Sequence, residues 1–168
     1  IFPVGLSGVN RYAQVNYTGG LSTGGTITAE YIAGVCPVGY AGLPNSVDGQ
    51  MIQNYENEGY WSITPTGGNL NSAIYSLILR GNTLSTVTSP AFMSKLRIIK
   101  STSHTSWEMS GIGSNTGATG GVSDFTIANT GMTGFSFFNI GSGNGNPLPV
   151  TMVNFAANCN DKSCSGDL

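Results

Sequence analysis

Ala73-Ile74-Tyr75-Ser76-Leu77-Ile78-Leu79-Arg80 is the most hydrophobic stretch of the chain, and its reading decides the fold. Periodicity alone fits a buried strand or a few helical turns. The flanks break the tie. Gly67-Gly68 precede it and Gly81-Asn82 follow it, and such pairs punctuate strands. With this segment a strand, no long amphipathic helix is left anywhere in the sequence.

Outward from it, segments 12–17 and 26–32 alternate or carry β-branched residues, and both read as strands. Segment 60–64 is an aromatic strand stopped by Pro65. Segment 95–100 alternates Lys and Arg with Leu and Ile, and 106–110 reads as its hairpin partner through 101–105. Segments 124–128 and 134–140 are two more strands, joined by Asn129-Thr130-Gly131. Ser89-Pro90-Ala91-Phe92-Met93 is expected to turn briefly helical, with proline near the first position. Segment 112–121 has Gly, Ser, Thr and Asn in place of core residues and reads as a loop. Segment 33–49 holds Gly34, Pro37, Gly39, Gly42 and Pro44, and is the irregular stretch best suited to a functional loop.

About ten short strands with frequent turn signals predict an all-β fold. The expected architecture is an antiparallel β-sandwich, jelly-roll or Ig-like, with long Gly/Ser/Thr/Asn loops. Its module spans 1–145, and 146–168 forms a proline-containing junction strand with a cysteine-containing tail. In that junction Pro147 and Pro149 hold the chain extended, and the stretch after them is apolar on both faces.

Composition narrows the function classes. Of 168 residues only 8% are charged, against roughly 25% in typical soluble domains, and the net charge is −2. Nucleic acid needs clustered Lys and Arg, which are missing, and no basic patch exists for anionic lipid. No apolar run reaches the ~20 residues of a membrane-spanning helix. Low charge also weakens the repulsion between copies, so self-association is favoured. A start at Ile1 is expected of a processed product or a fragment.

Few residues offer chemistry. Asp48, Glu56 and Glu58 lie close in sequence beside Tyr55, Tyr60 and Trp61, and are candidate calcium ligands. They read equally as solvated loop acids. An enzyme would need at least two of Asp48, Glu56, Glu58, Glu108 and Asp124 in one cleft. His104, among Ser101, Ser103 and Ser106, has no nucleophile elbow around it and reads as an exposed hairpin residue. Tyr60, Trp61 and Trp107 would form a glycan platform if their rings share an exposed face, and would be core otherwise. The glycine-rich tracts lack the lysine of a phosphate loop. No catalytic residue and no cofactor is expected beyond that calcium.

Cys36, Cys159 and Cys164 are the cysteines. Pairing of Cys159 with Cys164 around the turn-forming Asn-Asp-Lys-Ser is the simplest arrangement, and Cys36 with either stays open. The ends of the chain, Ile1 and Phe2 together with Val150, Met152, Val153 and Phe155, are the expected assembly elements. The partner is then another copy, or a neighbouring domain of the same surface protein.

The segment Pro147-Leu-Pro-Val-Thr-Met-Val-Asn-Phe-Ala-Ala-Asn-Cys159 resembles a recurrent junction in secreted and surface proteins exported by the type IX secretion system. The opening Ile1-Phe2-Pro3-Val4-Gly5 with Arg11-Tyr12, and Gly59-Tyr60-Trp61-Ser62-Ile63-Thr64-Pro65, resemble the first and central strands of the β-rich module before that junction. The resemblance implies an extracellular or cell-surface location and a β-rich module, and the low charge with the two-faced apolar strand points to a structural or adhesive role. A carbohydrate-binding module of a secreted hydrolase is the alternative.

Overall fold

The computed structural model describes residues 1–143 except 86, 88, 109 and 110. The architecture is an all-β sandwich of antiparallel sheets. Thirteen strands appear in chain order: β1 (Gly5–Leu6), β2 (Val9–Asn10), β3 (Ala13–Gly19), β4 (Thr26–Ala33), β5 (Asn45–Val47), β6 (Gln50–Ile52), β7 (Asn54–Tyr55), β8 (Gly59–Thr66), β9 (Ile74–Asn82), β10 (Arg97–Ser101), β11 (Ser114–Gly121), β12 (Asp124–Met132) and β13 (Phe137–Ser142). One short helix, α1 (Pro90–Met93), follows Ser89, whose hydroxyl caps the Ala91 N–H.

The first sheet has the order β11-β12-β9-β3 and the second β10-β13-β8-β4, with β7 also pairing β13. Set side by side, the two orders match each strand with its neighbour in the chain: β3 with β4, β9 with β8, β12 with β13, β11 with β10. The stretch that decides the fold is β9, central in the first sheet. Tyr75, Leu77 and Leu79 on its inner face are all fully buried, as period-2 alternation demands. Burying side chains of this size stabilises by roughly 1.5–3 kcal/mol each.

The second sheet is covered on both faces over β10, β13 and the start of β8, while β4 leaves alternate residues exposed. Residues 34–58 fold over its outer side, burying Cys36, Val38, Val47 and Ile52. Gly141 of β13 lies so close beneath that a Cβ there would come within 2.6 Å of Ile52 and 2.9 Å of Ile99. The irregular segment expected as a functional loop is therefore mainly a lid on the core. Its turn chemistry is local: Asp48 and Gly49 both take positive φ between β5 and β6, as a two-residue hairpin requires.

Three expectations are corrected. Segment 112–121 is not a loop: Ser114–Gly121 is an edge strand, with positive-φ Gly117 in its irregularity and Asn115 buried. Asn129-Thr130-Gly131 does not join two strands but lies inside β12 as a bulge against β9. The partner of β10 is β13, and Glu108 touches β10 only through an isolated bridge to Lys100. The alternating Lys and Arg of that strand do not face solvent. Arg97 and Lys100 are buried, because layers lie on both sides of β10.

Candidate functional site

The largest polar cluster in the described core sits where β3 begins. Asn139, fully buried in β13, donates from Nδ2 to the carbonyls of Glu56 (2.9 Å) and Gly59 (3.1 Å). The Glu56 N–H donates to Ile140 O at 2.9 Å. These bonds shape the β7–β8 turn and present Glu56 and Glu58 to Arg11. The Arg11 guanidinium donates to Glu58 Oε2 at 3.0 Å, to Asn82 O at 3.0 Å and to the Tyr31 hydroxyl, and lies 4.8 Å above the Tyr31 ring. Trp61 Nε1–H donates to Arg11 O at 2.7 Å, and its ring meets Tyr31 edge-on at 5.0 Å. Gly59 is obligatory here, since a Cβ would stand 2.3 Å from the Tyr31 ring.

The two carboxyls differ in proton affinity. Burial pushes Glu56 up to about 7, against smaller opposing effects from the Glu58 N–H and Arg11. Burial also raises Glu58, but bonds from Ser85 and Arg11 outweigh it and hold that carboxyl below its ordinary value. Burial likewise lifts the Tyr31 phenol to about 12 despite the Arg11 charge. Both Glu58 oxygens are occupied, Oε2 by Arg11 and Oε1 by Ser85, and Glu56 is 3% exposed. What the cluster does chemically is tie β4, β8, β9 and the start of β3 together, with one proton-dependent member.

The other candidates lie apart. Asp48 accepts from the Asn115 N–H at the far side of the sandwich, so it does not join Glu56 and Glu58 as a calcium ligand. Among the described residues no three His, Cys, Asp or Glu side chains gather. Glu108 is held by Thr102 and Ser103, which outweigh its burial and bring it down to about 2. Asp124 takes a bidentate bond from Arg80 at 2.7 Å. His104 is exposed, stacked on Phe137 with ring centres 4.0 Å apart and bonded to Ser136. Cys36 is buried and unpaired, its thiol pushed up by burial.

The glycan platform is also corrected. Tyr60, Trp61 and Trp107 are all buried, with Trp61 at 0% and Trp107 at 2% exposure. Trp107 lies under the 34–58 layer, its Nε1–H donating to Gly39 O at 2.7 Å. Rings placed so deep present no face to a sugar. A shallow depression of about 270 Å³ beside the β1–β2 hairpin is lined by residues 3–5 and 7–10, none of them ionisable.

The assembly elements fall in two groups. Val150, Met152, Val153 and Phe155, like Cys159 and Cys164, lie outside the described residues. Ile1 is exposed, while Phe2 bridges Ala13 of the same chain: its N–H donates to Ala13 O at 2.7 Å and its carbonyl accepts from Ala13 N–H at 3.2 Å. That bridge fixes the handedness of the edge. Tyr12 O accepts from Arg80, so Gln14 and Asn16 bond β9 while Ala13, Val15 and Tyr17 turn their main-chain groups outward. On β4, Gly34 N–H bonds Glu58 O, so Ile27, Ala29 and Tyr31 likewise face out.

The feature that sequence reasoning missed is this pair of neighbouring edges. Val15, Tyr17, Ile27 and Ala29 pack against the core but remain half-buried, and Glu30 is the one charged residue in the two strands. The only signal was the lack of charge in 13–19. Comparison of the chain with protein-family models, with curated proteins and with solved structures finds no match. Among the described residues no helix is long and apolar enough to cross a membrane.

Proposed function

We propose that this chain is a non-catalytic extracellular β-domain of an exported cell-surface protein, structural or adhesive in role, that self-associates by strand addition. The observation that carries the reading is the unguarded side formed by β3 and β4. Natural edge strands are blunted by Lys, Pro, bulges or covering segments, because their free N–H and C=O groups template pairing with other chains. Here Phe2 at Ala13 and β1 packed on β4 cover part of the side, with a register shift near Gly19, and the remaining exposed positions carry amides, hydroxyls, Ala33 and the single Glu30. Such an edge is suited to β-augmentation, in which main-chain bonds supply affinity. The resemblance of 147–159 to the junction of type IX-exported proteins supports the surface location. The carbohydrate-binding alternative would need rings other than Tyr60, Trp61 and Trp107, since these are buried.

Light scattering across a concentration series tests the reading. The expected outcome is a mass above that of one chain that grows with concentration. A single-chain mass at every concentration overturns self-association.

A further inference from the structure

The two sides of the sandwich are finished differently. Between β10 and β11, Asn115 reaches across to the Ile98 N–H at 2.9 Å, and Asp48 caps Asn115 in turn. Between β3 and β4, among the described residues, no hydrogen bond joins the outward main-chain groups of Val15, Tyr17, Ile27 and Ala29. Tyr17 packs edge-on against Tyr75 and Phe135, and Val15, Ile27 and Ala29 pack against the core, so beyond the part that Phe2 and β1 cover this side is an apolar slot with donors and acceptors along both rims. Phe2 demonstrates that the β3 rim accepts an extended strand in antiparallel register.

The geometry points to segment 150–157 of another copy as the strand that fills this slot. The claim rests on the self-association proposed above and names its donor and acceptor. Val150-Thr151-Met152-Val153-Asn154-Phe155-Ala156-Ala157 holds no charge, glycine or proline, so every residue donates and accepts. With Phe2 on Ala13 and β1 packed on β4, the outward main-chain groups left for it to pair are those of Val15 and Tyr17 on β3 and of Ile27 and Ala29 on β4. By period-2 alternation, an extended 150–157 would carry Val153 and Phe155 on one face, in step with the alternate inward positions of the slot. Donor and acceptor are different surfaces of the chain, so the contact is heterologous, and each added copy leaves one donor and one acceptor free for the next.

Two complementary variants of the full chain test this. Val15→Pro removes an N–H that β9 does not use and blocks the acceptor rim. Val153→Asp with Phe155→Asp spoils the donor. Each alone is expected to remain monomeric by light scattering, with circular dichroism reporting a folded sandwich. Mixed in equal amounts they should give a 1:1 dimer that grows no further. Ile27→Lys, which leaves the β3 backbone intact, replaces Val15→Pro if that variant fails to fold. Variants that assemble as the wild type does, or a mixture that stays monomeric, overturn this pairing while self-association stands. A monomeric wild type overturns both.

Discussion

The main-chain N–H of Ile98, on the edge strand of one sheet, donates to Oδ1 of Asn115, on the edge strand of the other, at 2.9 Å. A single amide side chain thus does for this side of the sandwich what a further strand would do. It satisfies an outward donor that is buried, and the Asp48 carboxylate accepts from the Asn115 main-chain N–H. On the β3–β4 side Phe2 and β1 cover part of the edges and Arg11 reaches the Tyr31 hydroxyl, but among the described residues no side chain bonds the outward main-chain groups of Val15, Tyr17, Ile27 and Ala29.

Asn115→Ala leaves the Ile98 N–H without its acceptor in a buried setting. The expected loss is about 1–3 kcal/mol, the desolvation cost of an unmade bond. Urea unfolding of the variant against the wild type measures it. A loss within error would mean that water reaches this donor and that the edge is not sealed.

Glu56 makes stability depend on pH. Folding favours its protonated form, with the carboxyl moved from 4.5 to about 7. The contribution is therefore fully present below about pH 4.5 and is lost as pH rises through about 7, for a total on the order of 3 kcal/mol. Glu58 runs the other way, its stabilisation by Ser85 and Arg11 fading as pH falls through its depressed value. Glu56→Gln should flatten the fall in stability between pH 5 and pH 8. Thermal melts across that range, with the carboxyl titrated by NMR, decide it, and an unchanged slope in the variant would sink the assignment.

Gly59→Ala places a methyl group 2.3 Å from the Tyr31 ring, which Arg11 and Trp61 hold in place. Overpacking of this kind costs about 1–3 kcal/mol. Gly24→Ala is the matched control. Its Cβ meets nothing within 4 Å, and the expected change stays within about 0.5 kcal/mol. Equal costs at the two positions would show that the ring yields freely.

Buried and exposed cations should separate cleanly. The Lys100 amine donates to Thr133 O at 2.7 Å and Gly111 O at 3.3 Å while 2% of the residue is exposed. Lys100→Met keeps much of the volume but deprives Thr133 of its donor, for an expected loss of about 1–3 kcal/mol. Arg80→Ala removes the surface pair with Asp124 and the guanidinium 5.9 Å from the Tyr12 ring centre, both at the surface, and its unfolding midpoint should stay close to that of the wild type. Denaturant midpoints of the two variants check the contrast.

Much of the fold is legible in the residues alone. The alternation of Tyr75, Leu77 and Leu79 between glycine-containing flanks makes β9 a strand wherever it sits, because side-chain period and turn chemistry are local properties. The same holds for β3, β4, β8 and the short α1. Segment 114–121 is different. With no large apolar residue it has no period to read, and it becomes a strand because β12 offers a ladder beside it.

Burial is what the sequence by itself does not determine. Trp61 and Trp107 have the composition of a binding face, and Arg97 and Lys100 that of a solvated one. All four are inside: Trp107 and Arg97 lie under 34–58, where they bond Gly39 O and Asp48 O, Trp61 packs on Tyr31 and bonds Arg11 O, and Lys100 bonds Gly111 O and Thr133 O. Which face of a strand meets water depends on what packs against it, and that partner is distant in the chain. The chain determined its strands, its turns and its low charge through local sterics and composition. Tertiary structure alone decided that Asn115 closes one side, that Arg11 draws Glu58 and Tyr31 together, and that Phe2 and β1 leave part of the β3 and β4 edges uncovered on the other, since each depends on groups brought together only when the sheets pack.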